Sequence, residues 1–267
     1  VKIGVALAIY ETNEQHHKMA VETLDSISSE KHEIITCGWN NGPALPEEWQ
    51  RPFTARGHLH ENHENNVSRA WNRGIECLLR VHECEYVFVP NLDIVLQPGA
   101  LDRFVEAVSK RPDAELWTMA NWHYRWDIDG NPGIANAPIH DNWVPYPHFS
   151  AFMVDHRLFE EVGPFDEAFK PAYNEDIDMH WRIRLAGKEA LQYEGARFYH
   201  YGSITIRADP VLNEANNATH GLNNLYFTQK WGFKPATADD AFTDGMYHYP
   251  FNDPAKVGFE KDYMKSW

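Results

Sequence analysis

Residues 85–93, EYVFVPNLD, are an apolar run that ends in a short polar step. A run without polar alternation is the pattern of a strand buried on both faces, and such strands belong to parallel sheets covered by helices. Asn91, Leu92 and Asp93 then fall at the carboxyl end of that strand, the edge where open α/β sheets bind ligands. Working outward, residues 2–10, KIGVALAIY, form a second run of the same kind. Thr12 and Asn13 are helix-capping residues ahead of Ala20, Val21, Leu24 and Ile27, which repeat at helical spacing. Residues 33–37 predict a short strand ending in the turn-like segment WNNGP at 39–43. An amphipathic helix starts at Asn66 and carries Val67, Ala70, Trp71, Ile75, Leu78 and Leu79 on one face. Another follows Pro98 and Gly99, with Leu101, Phe104, Val105 and Val108 on its face. Strands alternating with helices predict an α/β fold with a mixed, mostly parallel sheet flanked by helices.

The second half is less regular. Residues 115–119 and 149–154 read as strands, 155–162 and about 175–186 as helices, and 190–193 and 197–199 as two short strands. Residues 122–147 are a long aromatic and Pro-rich stretch, of the kind that covers a site. Beyond Arg207 the composition shifts to Asn, aromatics and Pro, which predicts a C-terminal extension wrapping the domain. Within it, residues 223–232 predict an anchoring helix that ends at Gly232.

Composition narrows the function classes. The 267 residues are 43% hydrophobic and 24% charged, enough for an ordinary buried core. Lys and Arg number 24 against 39 Asp and Glu, a net charge of −15, which disfavours a phosphate-backbone grip on nucleic acid. Ten Trp and twelve Tyr fit either a bulky core or a lining for sugars, nucleotides or partners. Three cysteines without metal-ligand spacing argue against a disulfide framework, so a reducing, cytoplasmic location is expected. No apolar stretch approaches a membrane span, and no secretory leader is recognised at the start. Oligomeric state is not legible.

Three constellations carry chemistry. The first is Asn91-Leu92-Asp93. The second is 174–178, NEDID, with three acids in four residues at a helix start; the helix dipole accounts for one or two of them. The third is His200, leaving a short strand in 198–202, FYHYG. Taken singly, each has a bland explanation as turn former, cap or surface imidazole.

Taken together they resemble the family-2 glycosyltransferases of the GT-A (Rossmann-like) fold. Asn91-Leu92-Asp93 followed by 98–101, PGAL, resembles the N-x-D variant of that family's D-x-D motif. Residues 163–167 (GPFDE), 175–178 (EDID), Arg182-Ile183-Arg184 and Ala186-Gly187 resemble its G-x-F-D-E, E-D-x-D and R-x-R-x-x-G blocks. Residues 196–200 (ARFYH) resemble the strand and His that follow, and Asn72-Arg73-Gly74 the family's N-x-G. The resemblance covers roughly residues 1–205. It implies a GT-A domain over 1–205, with a nucleotide-sugar half at 1–95, an acceptor half at 96–205, and an extension over 206–267.

The same resemblance implies transfer from a nucleotide-diphosphate sugar to a hydroxyl acceptor, with inversion. Asp93 and His200 would hold Mn²⁺ or Mg²⁺, with Asn91 and Leu92 beside them. Asp176 matches the base and Glu175 an acceptor-positioning acid, while Asp178 anchors the helix or a neighbouring Arg. Tyr10 and Glu11 stand where the family has T-Y-N, and Asn40 and Asn41 where it has D-N-G-S, so these four and Asn72 are the donor-site candidates. The missing acid at Asn40 leaves the nucleobase open. Such chemistry needs a base for the acceptor hydroxyl and a counter-charge for the departing diphosphate. Glycans and lipid-linked saccharides are the family's usual acceptors; a hydroxylated base in phage-type DNA is a further one.

Two rivals remain in view. A degenerate, lectin-like sugar binder accounts for the aromatics but not for Asp93, Asp176 and His200 together. His58, His60 and His63 copy the H-x-H-x-D-H spacing of a dinuclear zinc hydrolase, with Asn62 in place of its Asp, and otherwise read as a solvated loop. Residues 122–126 (WHYRW) and 140–143 (HDNW) are candidates for an acceptor wall, and 247–251 (YHYPF) for closing the site.

Overall fold

Strand β1 (Lys2–Ile9) lies inside the sheet because its side chains are apolar on both faces. Ile3, Val5, Leu7 and Ile9 enter one core, while Ala6 enters the other. The computed structural model describes residues 1–62, 64–122, 125, 138–145, 147–202, 210–232 and 234–235. β1 pairs in parallel with β2 (Glu33–Asn40) and β4 (Tyr86–Pro90), and β2 with β3 (Gly57–Glu61). β5 (Ile94–Leu96), β6 (Leu116–Trp122), β7 (Trp143–Val144), β8 (Ala151–Val154) and β9 (Ala190–His200) complete the sheet. Its order is β3-β2-β1-β4-β8-β6-β9-β5, with β7 also on β9. β8 is antiparallel to both β4 and β6, whereas β6 and β9 are parallel.

Helices cover both faces. α1 (Glu14–Ser26), α2 (Glu47–Thr54) and α4 (Ala100–Val108) pack Leu24, Phe53, Phe104 and Val105 against Phe88 of β4. On the other face α3 (Val67–Glu76), α5 (His156–Glu161) and α6 (Glu175–Leu185) bring Trp71, Ile75, Leu158, Met179 and Ile183 onto Val87 and Val89. Each such fully buried side chain contributes about 1.5–3 kcal/mol. Local signals start the helices: the Asn13 side chain accepts from His16 N at 3.0 Å, and that of Asn66 from Arg69 N at 3.0 Å. α3 lies close on β1 because Gly74 has no side chain; a Cβ there would sit 2.9 Å from Ala6 Cβ. Gly74→Val is therefore expected to cost about 1–3 kcal/mol by forcing α3 off the sheet. A lowered urea midpoint checks this; an unchanged midpoint would mean that α3 slides without loss.

Several expectations change. The helix expected to carry Leu78 and Leu79 ends at Glu76, and those residues lie in a π-helical turn over Cys77–Val81. The segment expected as a solvated His-rich loop is edge strand β3, pairing His58 and His60 with Cys37 and Trp39. The two strands expected at 190–193 and 197–199 are one strand. Tyr193 faces Met119 and Arg197 faces Ala120, so Glu194–Ala196 bulge from the ladder without ending it. The anchoring helix is longer than residues 223–232: α7 spans Pro210–Trp231, with Gly232 in the left-handed region after it (φ +78°). Its Phe227 and Trp231 pack with Phe169 and Trp181 in a third core. Among the described residues no helix is long and apolar enough to cross a membrane. Most of 122–147 and 236–267 lie outside the described residues, as do His63, His123, Tyr124, Trp126 and 247–251. Of the aromatic wall, Trp143 lies in β7 with its ring 4.9 Å from that of Tyr193.

Candidate active site

Backbone pairing brings Asp93 to His200. β5 follows Asp93 directly and runs antiparallel to the end of β9, opposing Ile94 to His200, and Tyr201 N donates to Asp93 O at 2.9 Å. The His200 Nε2 then lies 3.1 Å from Asp93 Oδ1, with both side chains 16–17% exposed. Asn91 N donates to Ser150 O at 2.8 Å, and Leu92 packs against the α1/α4 core. The His148 ring stands perpendicular to that of His200 at 6.1 Å. An imidazole nitrogen and a carboxylate oxygen converging in this way suit a divalent cation that takes mixed N and O donors. Among the described residues no group of three His, Cys, Asp or Glu is arranged to hold a metal ion.

The carboxyl ends of β1 and β2 lie on the same sheet edge as that of β4. Asn41 N donates to Ile9 O at 2.7 Å, which places Tyr10 beside the 40–43 turn. A Cβ on Gly42 would meet Tyr10 Cδ2 at 3.3 Å. Asn40 builds the turn itself, accepting from Gly42 N at 3.0 Å and donating to Pro43 O and Glu61 Oε2, each at 2.9 Å. Asn41 Oδ1 accepts from Asn62 Nδ2. Glu11 is buried and its Oε2 lies 2.9 Å from His17 Nδ1, while its Oε1 is buried with no hydrogen-bond partner among the described residues. Burial pushes the Glu11 carboxyl above the usual range and His17 offsets this only in part. A cleft of about 550 Å³ opens beside this corner, lined by Asn41, Gly42, Ala44, Glu61, Glu64 and Asn65. Asn72 faces elsewhere: its Nδ2 donates to Phe165 O and its Oδ1 accepts from Phe165 N, both at 2.8 Å.

The acids sit on a constrained turn. Tyr173 and Asn174 both adopt positive φ, +81° and +73°, immediately before α6. For Tyr173 that costs of order 1–3 kcal/mol and persists only where surroundings hold it, whereas asparagine adopts this region more readily. Glu175 is buried and leaves Oε2 without a partner among the described residues. Asp176 Oδ1 accepts from Ile177 N at 2.8 Å. Burial drives the Glu175 carboxyl well above its ordinary value, and the Asp176 charge adds to this. Asp176 is also raised, chiefly by burial, against the bonds from backbone N–H groups and the nearby His220 that favour its charge. Of the two, Asp176 ionises more readily.

Asp178 belongs to the scaffold. It is fully buried, accepts from Arg182 Nε at 2.9 Å and Trp231 Nε1 at 2.8 Å, and lies 2.7 Å from Lys230 Nζ. Lys230 also lies 2.6 Å from Asp166 Oδ2, which accepts from Tyr226 OH at 2.9 Å. Lys230, Tyr226, Asn223 and Asn224 were not among the sequence-derived candidates, although the apolar spacing of 223–232 marks the helix that carries them. On β3, His60 stacks on Trp39 at 4.5 Å and His58 on His82 at 4.8 Å, while His63 lies outside the described residues.

This architecture is the GT-A glycosyltransferase fold. The crystal structure of GalNAc-T7 with UDP, GalNAc and Mn²⁺ matches it with a TM-score of 0.54 at 11% identity, over 74% of this chain and 43% of that one. In sequence the chain is 24% identical over 214 residues to a galactofuranosyl glycosyltransferase of Leishmania donovani, covering 64% of this chain. It spans about half of that relative, 49% of its length. No family model matches the chain.

Proposed function

We propose that the chain is a metal-dependent, inverting glycosyltransferase that moves a sugar from a nucleotide-diphosphate sugar to a hydroxyl of a glycan or lipid-linked saccharide. The observation that carries this is the 3.1 Å approach of His200 to Asp93 at the carboxyl edge of a GT-A sheet, across 107 residues of chain. Similarity to a galactofuranosyl glycosyltransferase supports it, and makes UDP-galactofuranose the first donor to try.

In this proposal Asp176 accepts the proton of the acceptor hydroxyl as its oxygen attacks the anomeric carbon, and Glu175, its carboxyl pKa raised by burial, orients the acceptor by a hydrogen bond. The diphosphate departs from the opposite face, which inverts the centre. A divalent cation held by Asp93 and His200, Mn²⁺ or Mg²⁺, would neutralise charge on the leaving diphosphate. Tyr10 stacks on the nucleobase, Glu11 and Asn41 line its corner, Asn91 and Leu92 shape the phosphate end, Asn40 builds the adjoining turn, and Asn72 supports the fold through the Phe165 peptide. Residues 1–205 form the catalytic domain, and α7 of the extension packs on it through Phe227 and Trp231. Unpaired Cys37, Cys77 and Cys84 fit a reducing, cytoplasmic setting.

The test is titration calorimetry of UDP with and without Mn²⁺. Asp93→Ala is expected to weaken metal-dependent binding at least about tenfold, roughly 1.4 kcal/mol. Wild-type affinity that ignores Mn²⁺, or an Asp93→Ala protein that keeps its metal dependence, would remove the site.

A further inference from the structure

We propose that α7 of the C-terminal extension is part of the catalytic apparatus, with Asn223 as the positioning residue that fixes the turn presenting Glu175 and Asp176. The inference rests on the glycosyltransferase reading for the role of Asp176, and on geometry for the rest. Three successive residues ahead of the acids are gripped by one face of α7. Asn223, itself buried, donates through Nδ2 to Ala172 O at 2.8 Å and to Tyr173 O at 3.1 Å. Asn224 Oδ1 accepts from Asn174 Nδ2 at 2.8 Å. The Tyr173 ring meets the His220 ring at 5.0 Å. Two of the three gripped residues, Tyr173 and Asn174, have positive φ, a conformation that an asparagine tolerates and a bulky tyrosine does not favour. Asn174 makes no side-chain cap to α6, and its carboxamide is held from α7 instead. α7 can serve as a rigid support because Phe227 and Trp231 are buried against Phe169 and Trp181 one and two turns further on. A general base displaced by even about 1 Å loses much of its effect, so the grip acts on the chemical step and not on donor binding.

The test compares Asn223→Ala and Asn223→Asp with Val105→Ala, a core truncation on α4 at the opposite face of the sheet. The Asp variant keeps the shape but cannot donate to the two carbonyls. Turnover is followed as UDP release from UDP-galactofuranose with Mn²⁺ and a panel of alkyl glycosides, well below every melting midpoint. Both Asn223 variants are expected to lose at least about tenfold in kcat with donor KM within about twofold, while Val105→Ala keeps its kcat. Hydrogen exchange at the Asp178 amide, bonded to Asn174 O at 2.9 Å, should quicken about tenfold in the Asn223 variants alone. A kcat within about twofold of wild type, an equal loss in Val105→Ala, or unchanged exchange overturns the proposal. A wild-type protein that does not turn over UDP-galactofuranose overturns that donor and acceptor choice instead, and the exchange measurement then decides the grip by itself.

Discussion

Asp176→Asn is expected to lower the rate of sugar transfer by about 10²–10⁴-fold, the range for loss of a positioned general base. UDP affinity in the presence of Mn²⁺ should stay within about twofold. Asparagine matches the carboxylate in shape and retains the acceptor for the Ile177 N–H, so the start of α6 survives. What disappears is a group that can take a proton. The surroundings of Asp176 suit proton transfer, because burial raises its pKa toward the working range, yet less than it raises that of the neighbouring Glu175. Because the reactive form is the carboxylate, wild-type turnover should fall as the pH drops through the raised pKa of Asp176. The acid limb therefore lies above the roughly 3.9 of an ordinary aspartate. Single-turnover rates across pH check both statements. A variant that keeps more than about a tenth of the rate would exclude Asp176 as the base.

The parts of the fold legible in the sequence are those where burial is symmetrical. β1 and β4 are apolar on both faces, so their composition betrays them, and α3 and α4 show clear apolar stripes. β3 has one neighbour and half-exposed faces; its GHLHE sequence carries no period that could mark a strand. α2 contains Pro52, which reads as a break although the helix runs through it. In β9, Glu194 and Gly195 look like a turn between strands, but the ladder resumes at Arg197 after the bulge.

The site divides in the same way. That Asp93 and His200 touch depends on pairing between β5 and β9, which no local pattern encodes; family resemblance, rather than spacing, pairs them in the sequence. Asparagine roles were the least legible. Asn40, Asn41 and Asn72 look equivalent as amides beside a turn or helix. Only their partners separate a turn builder, a corner residue bonded to Asn62, and a clamp on the Phe165 peptide. Lys230 resembles any cation in the last turn of a helix, where the dipole favours it. Its burial between two acids depends on α7 docking against α6, a contact across more than 50 residues.

That burial makes Lys230→Met the change with the largest expected effect on stability. The side chain is 1% exposed and its Nζ lies 2.6 Å from Asp166 and 2.7 Å from Asp178, both almost wholly buried. Methionine fills the space but leaves two interior carboxylates with less compensation, and breaking such a pair costs about 3–5 kcal/mol. Arg182 and Trp231 still bond Asp178, and Tyr226 and the Ala168 N–H still bond Asp166, so the lower end of that range is expected. Burial by itself would raise the Asp166 pKa, but Lys230 and the other donors outweigh it and hold the carboxyl below its ordinary value. Its contribution is therefore complete above the unfolded value of about 3.9 and is lost as the pH falls through the lower folded pKa. In the variant burial is no longer outweighed, so the Asp166 pKa moves up and acid relieves the buried charge. The stability gap between wild type and Lys230→Met should thus be widest near neutrality, narrow toward about pH 4 as Asp166 of the variant protonates, and narrow further below it as the wild-type contribution is lost. Urea unfolding at pH 7 and pH 4 measures the gap directly. Adding Asp166→Asn to Lys230→Met should recover part of the loss at pH 7, because the charge left behind by the lysine is then gone. A gap that stays constant with pH, or a double variant no more stable than the single, would mean that Lys230 acts through packing against Phe169 and Trp231 and not through its charge.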